Sequence, residues 1–173
     1  ELPVIVRTVT RLSHSRAEVE VGELDPPEEV SIVFDKESMV RWSPVGGLVN
    51  KHQALLRKNE QCRQIFEESE FNAYKGAEEP ELLIISSGPP NIDADEAIGL
   101  LELWDSAGLL KLGATCPLPF DLVRDRIEKS KDVLFIEEVD PVLEQAIRGI
   151  APDLSKQVRF YGKLEKGVPV GKY

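Results

Sequence analysis

The chain has 173 residues and a formal net charge of −10, from 21 Lys+Arg against 31 Asp+Glu, with 42% apolar and 30% charged residues. That length fits one domain with an additional arm, and the acidic balance argues against nucleic acid or an anionic membrane surface as a general partner. No apolar run approaches the roughly 20 residues that a bilayer span needs, and no basic segment followed by an apolar core marks a secretory signal. The chain opens on Leu2-Pro3-Val4-Ile5-Val6 rather than on Met, and its one Met is Met39, which reads as a segment cut from a longer polypeptide. Cys62 and Cys116 form no C-x-x-C pair, which argues against a zinc ribbon, a thioredoxin motif or an iron–sulfur cluster built by this chain alone. Two thiols fit a reducing, cytoplasmic setting, where each is expected to be a small buried hydrophobe.

Residues 1–47 read as an arm or linker that holds short strands at most. Asp25-Pro26-Pro27-Glu28-Glu29 and Gly46-Gly47 break any longer element. From Leu48 to Lys75 there is no Gly or Pro, and a long amphipathic helix is expected over residues 48–70. Leu48, Leu55, Leu56, Cys62, Ile65 and Phe66 lie near one face, expected to pack on the chain's own domain. With its exit, this linking helix occupies residues 48–74, and the main domain is expected over 75–173.

That domain alternates. Leu82-Leu83-Ile84-Ile85 is a continuous apolar run of the kind found in buried strands. Asp93 and Glu96 suggest an acidic capping box for a helix with Ala94, Ile98, Leu101 and Trp104 inward. Leu109–Leu112 is the second strand, and Pro119 is expected as the first residue of a helix with Phe120, Val123 and Ile127 inward. Val133–Ile136 is the third strand. Asp140 is then expected to cap, and Pro141 to start, a helix that buries Leu143, Ile147 and Ile150. Val158–Tyr161 closes the series as a fourth strand. This β-α-β-α-β-α-β order predicts an α/β fold of three layers, a mainly parallel, Rossmann-like sheet with helices on both faces.

In such a sheet, ligands sit beyond the carboxyl ends of the strands. Those ends carry Ser86-Ser87-Gly88, Thr115-Cys116-Pro117, Glu137-Glu138 and Tyr161-Gly162. Ser87 and Gly88 could offer main-chain N–H groups to an anion, or form only a tight turn; Pro89 and Pro90 lack that donor. Glu137 and Glu138 read either as carboxylates for proton transfer or as one helix-starting and one interface or solvated side chain. Cys116 has no cationic neighbour in sequence to activate it. The densest polar cluster is Arg7, Arg11, Ser13, His14, Ser15 and Arg16, a positively charged stretch suited to an anion, a partner or solvent. No G-x-S-x-G, G-x-G-x-x-G or G-x-x-x-x-G-K-[ST] string occurs, which disfavours a hydrolase elbow, a self-contained dinucleotide site and a P-loop. One reading of the whole is a stand-alone small-molecule-binding or regulatory module with its ligand at Ser86–Gly88 and Glu137.

Four strings carry a resemblance. Residues 3–16, Pro3-Val4-Ile5-Val6-Arg7-Thr8-Val9-Thr10-Arg11-Leu12-Ser13-His14-Ser15-Arg16, resemble the end of the pyrimidine-binding domain in α subunits of indolepyruvate:ferredoxin oxidoreductases. Leu110–Pro119 is similar to their L-K-L-G-x-x-Y-P-L-P string, with Cys116 where the family has Tyr. Val133–Glu144 is similar to their V-E-E-x-x-P-x-x-E stretch, and Gly162-Lys163 with Val168-Pro169 to their closing segment. The resemblance implies a transketolase C-terminal-like domain. It lies within an enzyme that uses thiamine diphosphate, Mg and 4Fe-4S clusters to convert arylpyruvate and CoA to acyl-CoA and CO₂. Electrons pass to ferredoxin, and a β subunit completes the enzyme. Another 2-oxoacid:ferredoxin oxidoreductase is the neighbouring alternative. The G-D-G…N thiamine diphosphate motif and the C-x-x-C-x-x-C run are absent, so the chain alone is expected to bind none of these cofactors and to be inactive. Its expected role is structural, with Arg7, Arg11, Ser13, His14, Ser87, Gly88, Glu137 and Glu138 near an interface or the active site of the whole enzyme, and no residue catalytic or metal-binding.

Overall fold

A computed structural model describes residues 2–24, 26 and 48–165. The breakers Pro27, Gly46 and Gly47, the Glu28-Glu29 pair, Met39, the side chain of Leu48 and the Val168-Pro169 end of the resemblance lie outside these residues. The chain divides into two compact units, Glu1–Lys58 and Asn59–Tyr173. In the first, α1 (Thr10–Ser13) is a single turn, and residues 2–24 form no strand. Helix α2 (Leu48–Glu67) crosses the boundary between the units and ends three residues before the expected limit. Its apolar face is less buried than its spacing suggests. Leu55, Leu56 and Ile65 are exposed, and the half-buried residues Cys62 and Phe66 lie in its last two turns.

The second unit carries β1 (Ala73–Gly76), β2 (Leu82–Ser86), α3 (Pro90–Leu100), β3 (Ala107–Lys111), α4 (Phe120–Lys129), β4 (Asp132–Ile136), α5 (Val142–Arg148), a 3-10 turn (Ala151–Asp153) and β5 (Arg159–Tyr161). The sheet order is β1-β3-β2-β4-β5. β2 pairs in parallel with β3 and with β4, β4 pairs in parallel with β5, and β1 runs antiparallel to β3. The expected mainly parallel, three-layer α/β architecture is therefore present. β1 was not expected, because Ala73-Tyr74-Lys75-Gly76 is short and shows no apolar alternation. Tertiary contacts hold it instead. Arg126 lies 3.8 Å from the Tyr74 ring centroid and Lys75 lies 4.0 Å from that of Trp104. Lys75 also pairs with Asp95 at 2.6 Å.

Alternating side chains divide the core between the two faces. Leu83, Ile85, Leu110, Val133 and Phe135 pack with Val123 and Ile127 of α4 and Leu143 and Ile147 of α5. Ile84, Ala107 and Leu109 pack with Ala94 and Ile98 of α3 on the other face. The chain passes from β2 outward to β3 and then back across β2 to β4, so the change of direction falls between β2 and β4. That is where an open α/β sheet leaves its crevice.

Three helix starts differ from expectation. α3 begins at Pro90, so Asp93 lies in its first turn rather than capping it, and Leu101, which follows the helix, is 66% exposed. Pro is accepted there because the first-turn N–H it lacks has no helical partner. Pro119 precedes α4 rather than opening it, and Pro141 precedes α5. Neither Asp140 nor Pro141 supplies a side-chain cap to α5. Cys116 is exposed rather than buried, and Cys62 is half-buried.

Candidate functional site at the carboxyl edge of the sheet

Ser86↔Ile136 is the last registered pair of β2 and β4, so Ser87-Gly88 and Glu137-Glu138 leave the sheet from adjacent strand ends. The structure thus brings these four candidates to one edge. Ser86 is fully buried; its Oγ accepts from Asn91 Nδ2 at 3.0 Å and its carbonyl accepts from Leu112 N at 2.9 Å. Gly88 adopts φ +71°, a left-handed conformation that glycine takes without steric cost. The amides that follow are occupied: Asn91 N donates to Gly88 O at 3.1 Å and Ile92 N to Pro89 O at 3.0 Å. Pro89 and Pro90 add no donor. The Ser87-Gly88 bend is built as a strand-to-helix turn.

Glu137 makes a helix cap. Its two carboxylate oxygens accept from Leu143 N at 2.8 Å and Glu144 N at 3.0 Å, the orphan amides at the start of α5. The negative charge also faces the positive end of the helix. Glu138, half-buried, takes no part in this cap. The cap therefore uses Glu137 alone.

A third carboxylate was missed by sequence reasoning. Glu144 is fully buried. Its Oε1 accepts from Arg148 Nε at 2.9 Å, and its Oε2 accepts from Lys163 N at 2.8 Å and Leu164 N at 3.2 Å. Gly162 makes this possible, because a Cβ there would overlap the Glu144 carboxylate. The only sequence signal was that Glu144 and Gly162-Lys163 stand in two of the resembling strings.

The loop after β3 is also held by a residue not singled out. Asn72 Oδ1 accepts from Gly113 N at 3.0 Å and Ala114 N at 3.2 Å, while its Nδ2 donates to Phe66 O at 2.7 Å. Glu67 caps α4 by accepting from Asp121 N at 3.1 Å and Leu122 N at 2.8 Å. Arg63 donates to Glu60, Glu67 and Asp121, and its hydrogen bond holds the Glu60 carboxyl below the usual range. Glu60, Arg63 and Asp121 border a shallow groove of about 430 Å³, lined also by Phe120, Arg124, Ile150 and Asp153. Arg63, one of the two arginines lining it, is already bonded to three carboxylates.

Arg7, Arg11, Ser13 and His14 belong to the first unit. There Thr8 Oγ1 and Ser13 Oγ are 2.9 Å apart, and Arg7, Arg11 and His14 are exposed. His14 and His52 are the only histidines in the sequence, and both lie in that unit, so the sheet domain has no imidazole for proton transfer. Among the described residues, no group of three or more His, Cys, Asp or Glu side chains could hold a metal ion, and no helix is long and apolar enough to cross a membrane. At the carboxyl edge Glu137 and Glu144 serve main-chain amides, which braces that edge.

No family model matches the chain. It is, however, similar over nearly its whole length to a set of curated proteins. One is the indolepyruvate oxidoreductase subunit IorA of Methanothermobacter thermautotrophicus, 36% identical over 173 aligned positions, which cover 97% of this chain and 27% of that protein. The subunits of the same name from Pyrococcus abyssi and Thermococcus kodakarensis are each 33% identical, over 92% of this chain and 25% of their own length. The chain thus spans about a quarter of the length of the relatives it matches. The resemblance seen in its motifs is a true sequence kinship.

Proposed function

We propose, from its kinship with the indolepyruvate oxidoreductase subunits IorA, that the chain is the structural and interface segment of a 2-oxoacid oxidoreductase subunit. The whole enzyme would convert arylpyruvate, indolepyruvate foremost, and CoA to acyl-CoA and CO₂, with ferredoxin taking the electrons. It would be cytoplasmic and would use thiamine diphosphate, Mg and 4Fe-4S clusters. Its segment partners would be neighbouring domains of the same subunit and a β subunit. In this reading residues 1–47 would be the arm from the preceding domain, 48–74 the link that holds α2 and the start of β1, and 75–173 the transketolase C-terminal-like domain.

The residues of this chain cannot by themselves hold a 4Fe-4S cluster. A 4Fe-4S cluster requires four thiolates, and the sequence has two cysteines. Two of the carboxylates at the sheet edge, Glu137 and Glu144, are hydrogen-bonded to amides. The cofactors belong to other parts of the enzyme in this reading. The observation that carries it is the match to IorA along 97% of the chain. It is supported by a sheet edge whose polar groups are used to fix loops.

Two measurements test this. The full subunit with its β subunit is assayed for indolepyruvate- and CoA-dependent ferredoxin reduction, beside the isolated chain supplemented with thiamine diphosphate and an acceptor dye. Activity in the complex and none in the chain is expected; turnover by the chain alone would overturn the assignment. For the arm, we assign Arg7, Arg11, Ser13 and His14 to the cofactor or domain interface of the complete enzyme. Arg11→Ala should lower turnover of the complex and leave the melting of the isolated chain unchanged. Unaltered turnover would remove that role.

A further inference from the structure

We infer that the buried Glu144 carboxylate is a latch that couples two surface segments, the residues 162–165 that follow β5 and the loop 137–141 between β4 and α5. A carboxylate with no exposed surface is costly unless its lone pairs are filled. Here they are filled by one guanidinium and by two amides of the segment after β5, at 2.9, 2.8 and 3.2 Å. Arg148 carries the contact outward. It donates to Glu165 Oε1 at 2.9 Å and to Phe160 O at 3.2 Å, and its guanidinium lies 5.4 Å from the Phe160 ring centroid.

The second half of the latch is Lys163. Its amide is bound by Glu144, and its Nζ donates to Val139 O at 3.0 Å. Val139 has φ +61° and is 53% exposed. A β-branched residue rarely adopts that conformation, so the surrounding contacts must hold it. Glu137 fixes the far end of the same loop through Leu143 N and Glu144 N. One connected set of bonds therefore runs from Glu137 through α5 to Glu144, across to Lys163, and back to Val139. Opening it at Glu144 frees Lys163 and removes a tether from the loop.

Glu144→Gln tests this in the full chain by hydrogen exchange. The amide leaves one acceptor and places an NH₂ donor against either Arg148 or the two main-chain N–H groups. Exchange is expected to rise about tenfold or more in peptides covering 162–165 and in those covering 138–143, while β2 and β4 stay protected. Lys163→Met should separate the two, accelerating 138–143 and leaving 162–165 protected. If Glu144→Gln does not fold, Gly162→Ala, which pushes the segment off the carboxylate, carries the same expectation. An unchanged loop 138–143 on opening the latch would overturn the coupling. So would an equal rise across β2 and β4, since Glu144 would then act only through global stability.

Discussion

At the carboxyl edge of the sheet Glu137 and Glu144 both act on main-chain amides, and Glu137 offers a direct test of the reading that this edge is structural. Glu137 accepts from two first-turn amides of α5. Glu137→Ala should cost about 1 kcal/mol, as lost N-caps do, read as a lower urea midpoint at an unchanged slope. If Glu137 were instead a proton-transfer group of the whole enzyme, the same variant would abolish turnover out of proportion to that loss. Glu78 makes a pH prediction. Its pKa is lowered, first by the hydrogen bond from Lys129 and then by the charge of Arg126. Because the folded value lies below the unfolded one, its contribution is present above about pH 4.3 and is lost as pH falls through the lower folded value. Glu78→Gln should therefore flatten the acid limb of stability against pH. Since the pair is exposed, added salt should shrink the difference.

At the scale of elements, short pieces are held by long-range partners. α5 has seven residues and β5 has three, too few to be stable alone. α4 is capped by Glu67, a residue 55 positions before Leu122. Glu67→Ala should lower stability by about 1 kcal/mol and leave Arg63 bonded only to Glu60 and Asp121. Thermal melting of the variant against Glu60→Ala, which removes an exposed partner of the same Arg, separates the cap from the ion pair. The larger loss is expected at Glu67. β1 shows the limit of local pattern: its four residues carry no strand signature, and its place is set by Arg126 beneath Tyr74 and Lys75 beside Trp104.

For the whole molecule, stability rests on the core beneath α4 and α5. Phe135 is almost fully buried there and stacks on Phe160 with ring centroids 5.9 Å apart. Phe135→Ala should cost about 3–5 kcal/mol by cavity formation. Leu101→Ala, at a position expected inward but found exposed, should change stability by no more than about 0.5 kcal/mol. Denaturant unfolding of both variants checks this contrast. The central strands were legible because Leu82–Ile85 and Val133–Ile136 are apolar runs whose burial is a local property of the sequence. The kinship with IorA subunits was legible for a related reason, since its strings are contiguous.

What the sequence determined by itself was the alternation of strands and helices, and hence the mainly parallel sheet of a three-layer fold. Hydrophobic period and turn residues act within a few positions, so they can be read in order. Tertiary structure decided which polar residues meet. Asn72 reaches Gly113 across 41 positions and Glu144 reaches Lys163 across 19, and no local window contains both partners. It also decided that Glu137 and Glu144 bind amides rather than face an open crevice. Buried amides at helix starts and chain crossings need acceptors, and only the folded arrangement shows which carboxylate is near enough to supply them.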